Sequence, residues 1–308
     1  MRANPLDAYE IGTGCWAWGD PVMWGYGRGY GESEVRAAFD ASLAGRITLF
    51  DTAELYGMGK SESILGACLR GEAHIQPPQP IYVATKFLPL PWRLTRGQVI
   101  AAVKRSLARL GRTHIDLYQL HWDQPPVPLE RWVDALGDAL DAGLIRAAGV
   151  SNYDRAQTIR AAHTLERRGH VLTANQVEYS LIARDIEFDG TLDECRARGV
   201  KVIAYSPLGM GLLTGKYTVD NPPPGLRGRK YRGLLPKLPP LLTALGEIGA
   251  RYDKTAAQVA LNWTICKGTL PIPGAKHAAQ AAQNAGGAGW RLTDDEVARL
   301  DAASAGLR

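Results

Sequence analysis

A (β/α)8 barrel of the TIM type is the fold class that this sequence predicts, on three observations: eight short apolar runs, amphipathic stretches between them, and polar residues at the ends of the runs. The spacing is most regular at Asp51, Lys86 and His121, which stand 35 residues apart. Such an interval has room for a strand, a helix and two loops. Parallel strands would bring the three side chains to one rim, where Tyr56 follows in the first loop. An acid, a phenol, an amine and an imidazole converging on one mouth form a proton-transfer constellation.

In chain order, the opening strand is expected at residues 10–15. Residues 47–50 run into Asp51, 81–85 into Lys86 and 115–120 into His121. Residues 145–150 end in Ser151 and Asn152, 171–175 in Gln176, 202–204 in Tyr205 and Ser206, and 269–272 in Pro273 and Gly274. Between them, residues 97–110, 129–142 and 155–168 carry apolar side chains at three- and four-residue spacing, the helical period. Residues 207–240 are rich in Gly, Pro and basic residues and too long for an ordinary barrel loop, so they read as a flap over the mouth, with 221–225 as its turn. A barrel of about 250 residues, with loops and C-terminal extra helices, accounts for the chain as a single domain over 1–308.

Composition agrees with this. A hydrophobic content of 45% fills a sizeable core. The formal charge of +5 comes from interspersed Lys, Arg, Asp and Glu without a long basic run, which argues against nucleic acid and suits a mildly positive mouth for a phosphorylated cofactor. Cys15, Cys68, Cys195 and Cys266 stand far apart with no CxxC, as expected of reduced thiols. Met1 lies about ten residues before the first strand, too few for a cleavable signal, and no apolar stretch is long enough for a membrane span. A cytoplasmic location is expected. His74, His114, His163, His170 and His277 fall in loops or on exposed helix faces and form no H-E-x-x-H pair, so no metal site is expected. No G-x-S-x-G elbow marks a serine nucleophile.

Two phosphate-binding patterns fail on context. Gly12, Gly14 and Ala17 satisfy G-x-G-x-x-A, but Trp18, Gly19, Asp20 and Pro21 follow instead of a helix. Gly59, Lys60 and Ser61 mimic the end of a P-loop whose first Gly is replaced by Glu54. Ser61 is expected to cap a helix beginning near Glu62, with Gly59 easing the loop.

Asp51-Thr52-Ala53-Glu54-Leu55-Tyr56-Gly57 resembles the first signature of the aldo-keto reductases, Lys86 the lysine of their third strand, and Gly149-Val150-Ser151-Asn152 their G-V-S-N signature. Pro273-Gly274-Ala275-Lys276, with Gln280 and Asn284, resembles the family's adenosine-phosphate segment. These motifs span nearly the whole chain. Trp16-Ala17-Trp18-Gly19, Trp24-Gly25-Tyr26, Pro91-Trp92-Arg93-Leu94-Thr95, Leu212-Leu213-Thr214-Gly215-Lys216-Tyr217 and Ile265-Cys266-Lys267-Gly268 resemble the plant-plastid and cyanobacterial branch that includes pyridoxal reductase. The chain departs from relatives in a short opening where many have a floor-plugging hairpin, and in Gln283 where a Glu commonly meets the adenine.

The resemblance implies an NADPH-dependent reduction of aldehydes or ketones. Hydride reduction of a carbonyl needs an acid for the developing alkoxide, and a phenol of pKa about 10 is a reluctant one. Lys86 is expected to lower the pKa of Tyr56, Asp51 to hold Lys86 charged and aimed, and His121 to donate to the carbonyl oxygen. By resemblance, Tyr205 stacks on nicotinamide and Ser151, Asn152 and Gln176 grip its carboxamide. The cofactor set is completed by Cys15, Trp16, Asp51, Ser206, Pro207, Leu208, Gly209, Gly211, Leu212, Gly215, Lys216, Pro273, Gly274, Lys276, Gln280, Gln283 and Asn284, with Lys276 as a point charge on the 2′-phosphate. Trp16, Trp18, Trp24, Phe87, Trp92 and Trp122 are expected beside Tyr56 and His121 around a flat, partly apolar carbonyl substrate. The plainer readings are an ion pair for Asp51 and Lys86, core packing for Tyr205 and the tryptophans, and helix capping for Ser151 or Asn152. The alternatives of function are an NADPH-binding redox sensor or scaffold with slow turnover, for which nothing in the sequence marks a partner surface, and an NAD-dependent dehydrogenase running toward ketones.

Overall fold

The computed structural model describes residues 3–71, 77 and 79–307, so His74 and Met1 lie outside the described residues. Eight parallel strands are hydrogen-bonded in chain order: β1 (Thr13–Gly14), β2 (Leu49–Asp51), β3 (Tyr82–Phe87), β4 (Ile115–Leu120), β5 (Ile145–Ser151), β6 (Leu172–Glu178), β7 (Lys201–Tyr205) and β8 (Leu270–Pro271). The amides of Gly12 and Gly14 donate to the carbonyls of Pro271 and Pro273 at 2.9 and 3.0 Å, closing the first strand onto the last. A side chain cannot fit at this seam, since a Cβ on Gly14 would lie 2.7 Å from the Ile272 carbonyl oxygen. The fold is a (β/α)8 barrel.

Helices α1 (Glu32–Ala44), α2 (Lys60–Arg70), α3 (Gly97–Leu110), α4 (Leu129–Asp141), α5 (Arg155–Glu166) and α6 (Thr191–Arg198) each join consecutive strands. α3 buries Val99, Ala102, Val103, Ser106, Leu107 and Leu110, the three- and four-residue period of its sequence, and stops at Gly111 in the left-handed conformation. Asp154 caps α5 in a box with Gln157, which leaves Ser151 and Asn152 without that duty. Between β7 and β8 come α7 (Leu226–Tyr231), α8 (Pro239–Tyr252) and α9 (Ala256–Cys266), followed after β8 by α10 (Ala278–Ala285) and α11 (Asp294–Ser304).

Two local expectations change. α2 starts two residues early, at Lys60 behind a left-handed Gly59, so Ser61 lies buried within its first turn. Its hydroxyl donates to the Cys15 carbonyl at 2.8 Å and meets the Thr52 hydroxyl at 2.8 Å, tying the ends of β1 and β2 together instead of capping. The flap turn closes over residues 218–221, ahead of the expected 221–225, and residues 226–231 form α7. The short opening replaces a hairpin with one 3-10 turn, Pro5–Ala8, whose fully buried Leu6 plugs the barrel floor. Asn4 fastens that turn by donating to the carbonyls of Thr173 and Gly199, both at 2.9 Å.

The floor itself is apolar, built of Leu49, Ala84, Leu117, Ala147, Ala174, Ile203 and Leu270. Residues two apart on a strand face the same way. Directly above Leu49, Leu117 and Ala174 the interior therefore receives Asp51, Gln119 and Gln176, and it turns polar toward the carboxyl ends of the strands. Among the described residues no helix is long and apolar enough to cross a membrane, and no group of His, Cys, Asp and Glu could hold a metal ion.

Candidate active site

A cavity of about 1180 Å³ opens at that end of the barrel. β2 ends in Asp51, and the chain then turns through the 3-10 segment Tyr56–Gly59, which swings the Tyr56 ring over β3. Glu54 fixes this loop by accepting the Leu88 amide at 2.8 Å and pairing with Arg93. Lys86, fully buried in β3, donates to Asp51 Oδ1, to the Thr52 carbonyl at 2.9 Å and, over a long 3.5 Å, to the Tyr56 hydroxyl. Asp51 Oδ2 accepts from Gln176 Nε2 at 2.8 Å and Gln119 Nε2 at 3.2 Å. His121, just past β4, sets its ring edge-on to Tyr56 at 5.8 Å and lies flat on Trp122 at 4.1 Å.

Burial governs the protonation states. It would lower the Lys86 pKa on its own, but Asp51 and Tyr56 reverse this and raise it, so the ammonium stays charged. Burial pushes the Tyr56 phenol up, and Lys86 pulls it down without overcoming the burial. The expected lowering of the Tyr56 pKa is thus corrected: Lys86 acts in the expected direction but is outweighed by the loss of water around the ring at the foot of the cavity. The imidazole of His121 falls to about 2, through burial first and the Lys86 charge second. A neutral ring keeps one N–H to donate and never competes with Lys86 for charge.

In the same cavity, next to His121, Asn152 is held with φ 60 by donating to the His121 carbonyl and the Ser151 hydroxyl, both at 3.1 Å. Its Oδ1 accepts the Tyr205 hydroxyl at 3.0 Å. Cys15, Trp16, Ser206, Pro207, Leu208, Gly211, Lys216, Pro273, Gly274, Gln280, Gln283 and Asn284 also line the cavity. Gly209, Leu212 and Gly215 do not; Leu212 is fully buried in the core. Lys276 donates to the Trp24 carbonyl at 2.8 Å and sits 5.0 Å above the Trp24 ring, over which Arg227 of α7 also lies at 5.0 Å. Burial, then the charges of Arg227 and Lys216, bring the Lys276 pKa down to about 8. Like charges crowded beside one ring favour an anion among them.

The aromatic residues divide. Trp16, Trp24 and Trp122 line the cavity, with Trp16 stacked on Tyr56 at 6.0 Å and edge-on to Trp24 at 5.5 Å. Trp18 is core: it is fully buried against Phe50 and donates its indole N–H to the Ala275 carbonyl at 2.8 Å. Phe87 follows Lys86 in β3 and so faces outward, buried against Trp132 with Arg93 above its ring. Trp92 is 69% exposed and outside the cavity lining. Sequence reading missed Arg227, Val22, Leu55 and Met58, all of which line the cavity. Only the basic composition of the flap hinted at Arg227.

Residues 10–305 match the model of the Aldo/keto reductase family. Over 312 aligned residues the chain is 41% identical to the chloroplastic pyridoxal reductase of Arabidopsis thaliana, with 99% of this chain and 85% of that relative covered. An aldo-keto reductase from Klebsiella pneumoniae, solved in complex with NADPH, superposes with a TM-score of 0.73 at 30% identity, covering 95% of this chain and 90% of that one. The glycerol dehydrogenase of Gluconobacter oxydans superposes with a TM-score of 0.82 at 27% identity, covering 96% and 90%.

Proposed function

The chain belongs to the aldo/keto reductase family and is an oxidoreductase, and from that premise we propose that it reduces aldehydes to alcohols with NADPH, using Tyr56 as the acid. The observation that carries this reading is the fully buried Lys86, bonded at once to Asp51 and Tyr56 beside a neutral His121. NADPH, when bound, supplies the hydride. Tyr56 hands its proton to the oxygen as negative charge develops there, and the adjacent ammonium of Lys86 stabilises the phenolate left behind. His121 donates to the same oxygen from the other side. Asp51 keeps Lys86 charged and aimed.

The residues at the two ends of the cavity suit the cofactor. Lys216, Arg227 and Lys276 would meet the 2′-phosphate, and Tyr205, Asn152, Ser151 and Gln176 the nicotinamide end. The likeness to the Arabidopsis enzyme and the aromatic walls of Trp16, Trp24 and Trp122 favour pyridoxal or a similar flat aldehyde as substrate. This reading takes the chain as one barrel domain, and its free thiols fit a cytoplasmic location, which fractionation of the source cells tests. NADPH oxidation followed with pyridoxal and with small aliphatic aldehydes tests the activity. Turnover of small aldehydes without pyridoxal would remove pyridoxal alone; tight NADPH binding with no turnover of any carbonyl would instead support the sensor reading.

A further inference from the structure

Barrel interiors are filled by layers of apolar side chains from alternate strands. The layer above the floor breaks that rule at Asp51 of β2, Gln119 of β4 and Gln176 of β6. Asp51 and Gln176 have roles in the proposed chemistry, whereas Gln119 has none. It is fully buried and does not line the cavity. A buried amide is costly unless its polar atoms are paired, so its presence in place of another leucine asks for a reason.

Its contacts give one. Nε2 donates to Asp51 Oδ2 at 3.2 Å, and Oε1 takes a long 3.5 Å bond from Gln176 Nε2. Gln176 also donates to Oδ2, at 2.8 Å, but Gln176 borders the cavity and is open to a ligand. When Gln176 turns outward, Gln119 alone remains on that oxygen. The register supports the arrangement, since Gln119 pairs with Lys86 on one side and with Gly149 on the other. A Cβ on Gly149 would stand 2.9 Å from Gln119 Cγ, and would press on the Ala174 carbonyl at 3.2 Å and Leu117 Cδ1 at 3.3 Å. The glycine of the G-V-S-N signature thus leaves the space that Gln119 occupies.

We propose that Gln119 is a positioning residue of this site: its amide holds Asp51 Oδ2 so that Oδ1 stays aimed at Lys86, and it frees Gln176 to turn toward the cofactor. The inference rests on the reading of Tyr56 as the acid. The titratable groups facing the phenol are Lys86, Asp51, Cys15, His121 and Tyr205. Without the Gln119 donor, more of the Asp51 charge is left to oppose ionisation of Tyr56, which becomes a weaker acid.

The test compares wild type with Gln119→Met, which keeps the bulk and removes the amide, and with Gly149→Ala, which crowds Gln119 while leaving every titratable group in place. For Gln119→Met, kcat should fall about tenfold, with KM for the aldehyde and Kd for NADPH within about twofold. The alkaline limb of kcat, and the tyrosinate absorbance that Tyr56→Phe removes, should both move to higher pH. Gly149→Ala should do the same to a smaller extent. An unmoved Tyr56 titration in a folded Gln119→Met protein would overturn the proposal, and so would a tenfold loss of NADPH affinity, which would put Gln119 in the cofactor site. Because the titration needs no turnover, a wild type inactive on all carbonyls with a shifted Tyr56 in Gln119→Met would sink the carbonyl-reductase reading and leave the positioning role standing.

Discussion

The floor and the mouth of this barrel are built from the same strands, two residues apart, and they meet opposite requirements. Leu49 lies under Asp51, Ala84 under Lys86, and Leu117 under Gln119. At the floor, Leu6 closes an apolar plug that gains from excluding water and carries no charge. At the mouth, a buried lysine and aspartate persist because each neutralises the other and hydrogen bonds from Gln119 and Gln176 and to the Thr52 carbonyl satisfy the rest. The floor can be altered at the cost of stability alone, whereas the mouth couples stability to chemistry, as barrels that keep catalysis at the carboxyl ends of their strands require.

That contrast can be broken most forcefully at Lys86. Lys86→Met should abolish measurable turnover and, by leaving Asp51 buried without its partner, cost about 3–5 kcal/mol in denaturant unfolding. Asp51→Asn should be milder in rate, and the reverse order would contradict the roles given to the pair. Tyr56→Phe separates the two quantities: kcat should drop at least about 100-fold while NADPH affinity and Tm hold, because the ring still packs on Trp16. A near wild-type rate would mean that the proton comes from elsewhere.

The floor gives the opposite pattern. Leu6→Ala should lower unfolding free energy by about 2–5 kcal/mol with kcat within about twofold, and a large rate loss at unchanged stability would dissolve the division between the two regions. A subtler effect is expected at the cation cluster. With its pKa brought down to about 8 in the unliganded protein, Lys276 is charged below that pH, so NADPH binding above it should take up a proton and its Kd should weaken as pH rises through about 8. NADH, lacking the 2′-phosphate, should show no such slope, and Lys276→Ala should flatten it for NADPH. The smallest effect concerns substrate: Trp24→Ala should raise KM for pyridoxal more than for a small aliphatic aldehyde, whereas Trp92→Ala, outside the cavity, should change neither.

Much of the mouth was legible because strands carry a strict period of two and parallel units repeat. Asp51, Lys86, His121, Gln176 and Tyr205 all stand at the ends of apolar runs, and the structure brings all but the fully buried Lys86 to line one cavity. The same parity shows that Phe87, next to Lys86, faces the helices. Other errors have no local signature. Ser61 sits inside α2 because its hydroxyl is claimed by the Cys15 carbonyl, 46 residues away. Trp18 is core because its indole finds the Ala275 carbonyl, 257 residues on.

The sequence by itself determined the barrel, the order of its strands, the main helices and the cluster of an acid, a phenol, an amine and an imidazole, since each depends on periodicity within a few residues. Only the tertiary structure decided which tryptophans see the cavity, that α7 folds back to lay Arg227 over Trp24, and that burial outweighs Lys86 at the Tyr56 phenol. Those outcomes depend on how much water each group has lost and which distant atoms replaced it, and the loss of water is a property of the packed molecule rather than of any local run of residues.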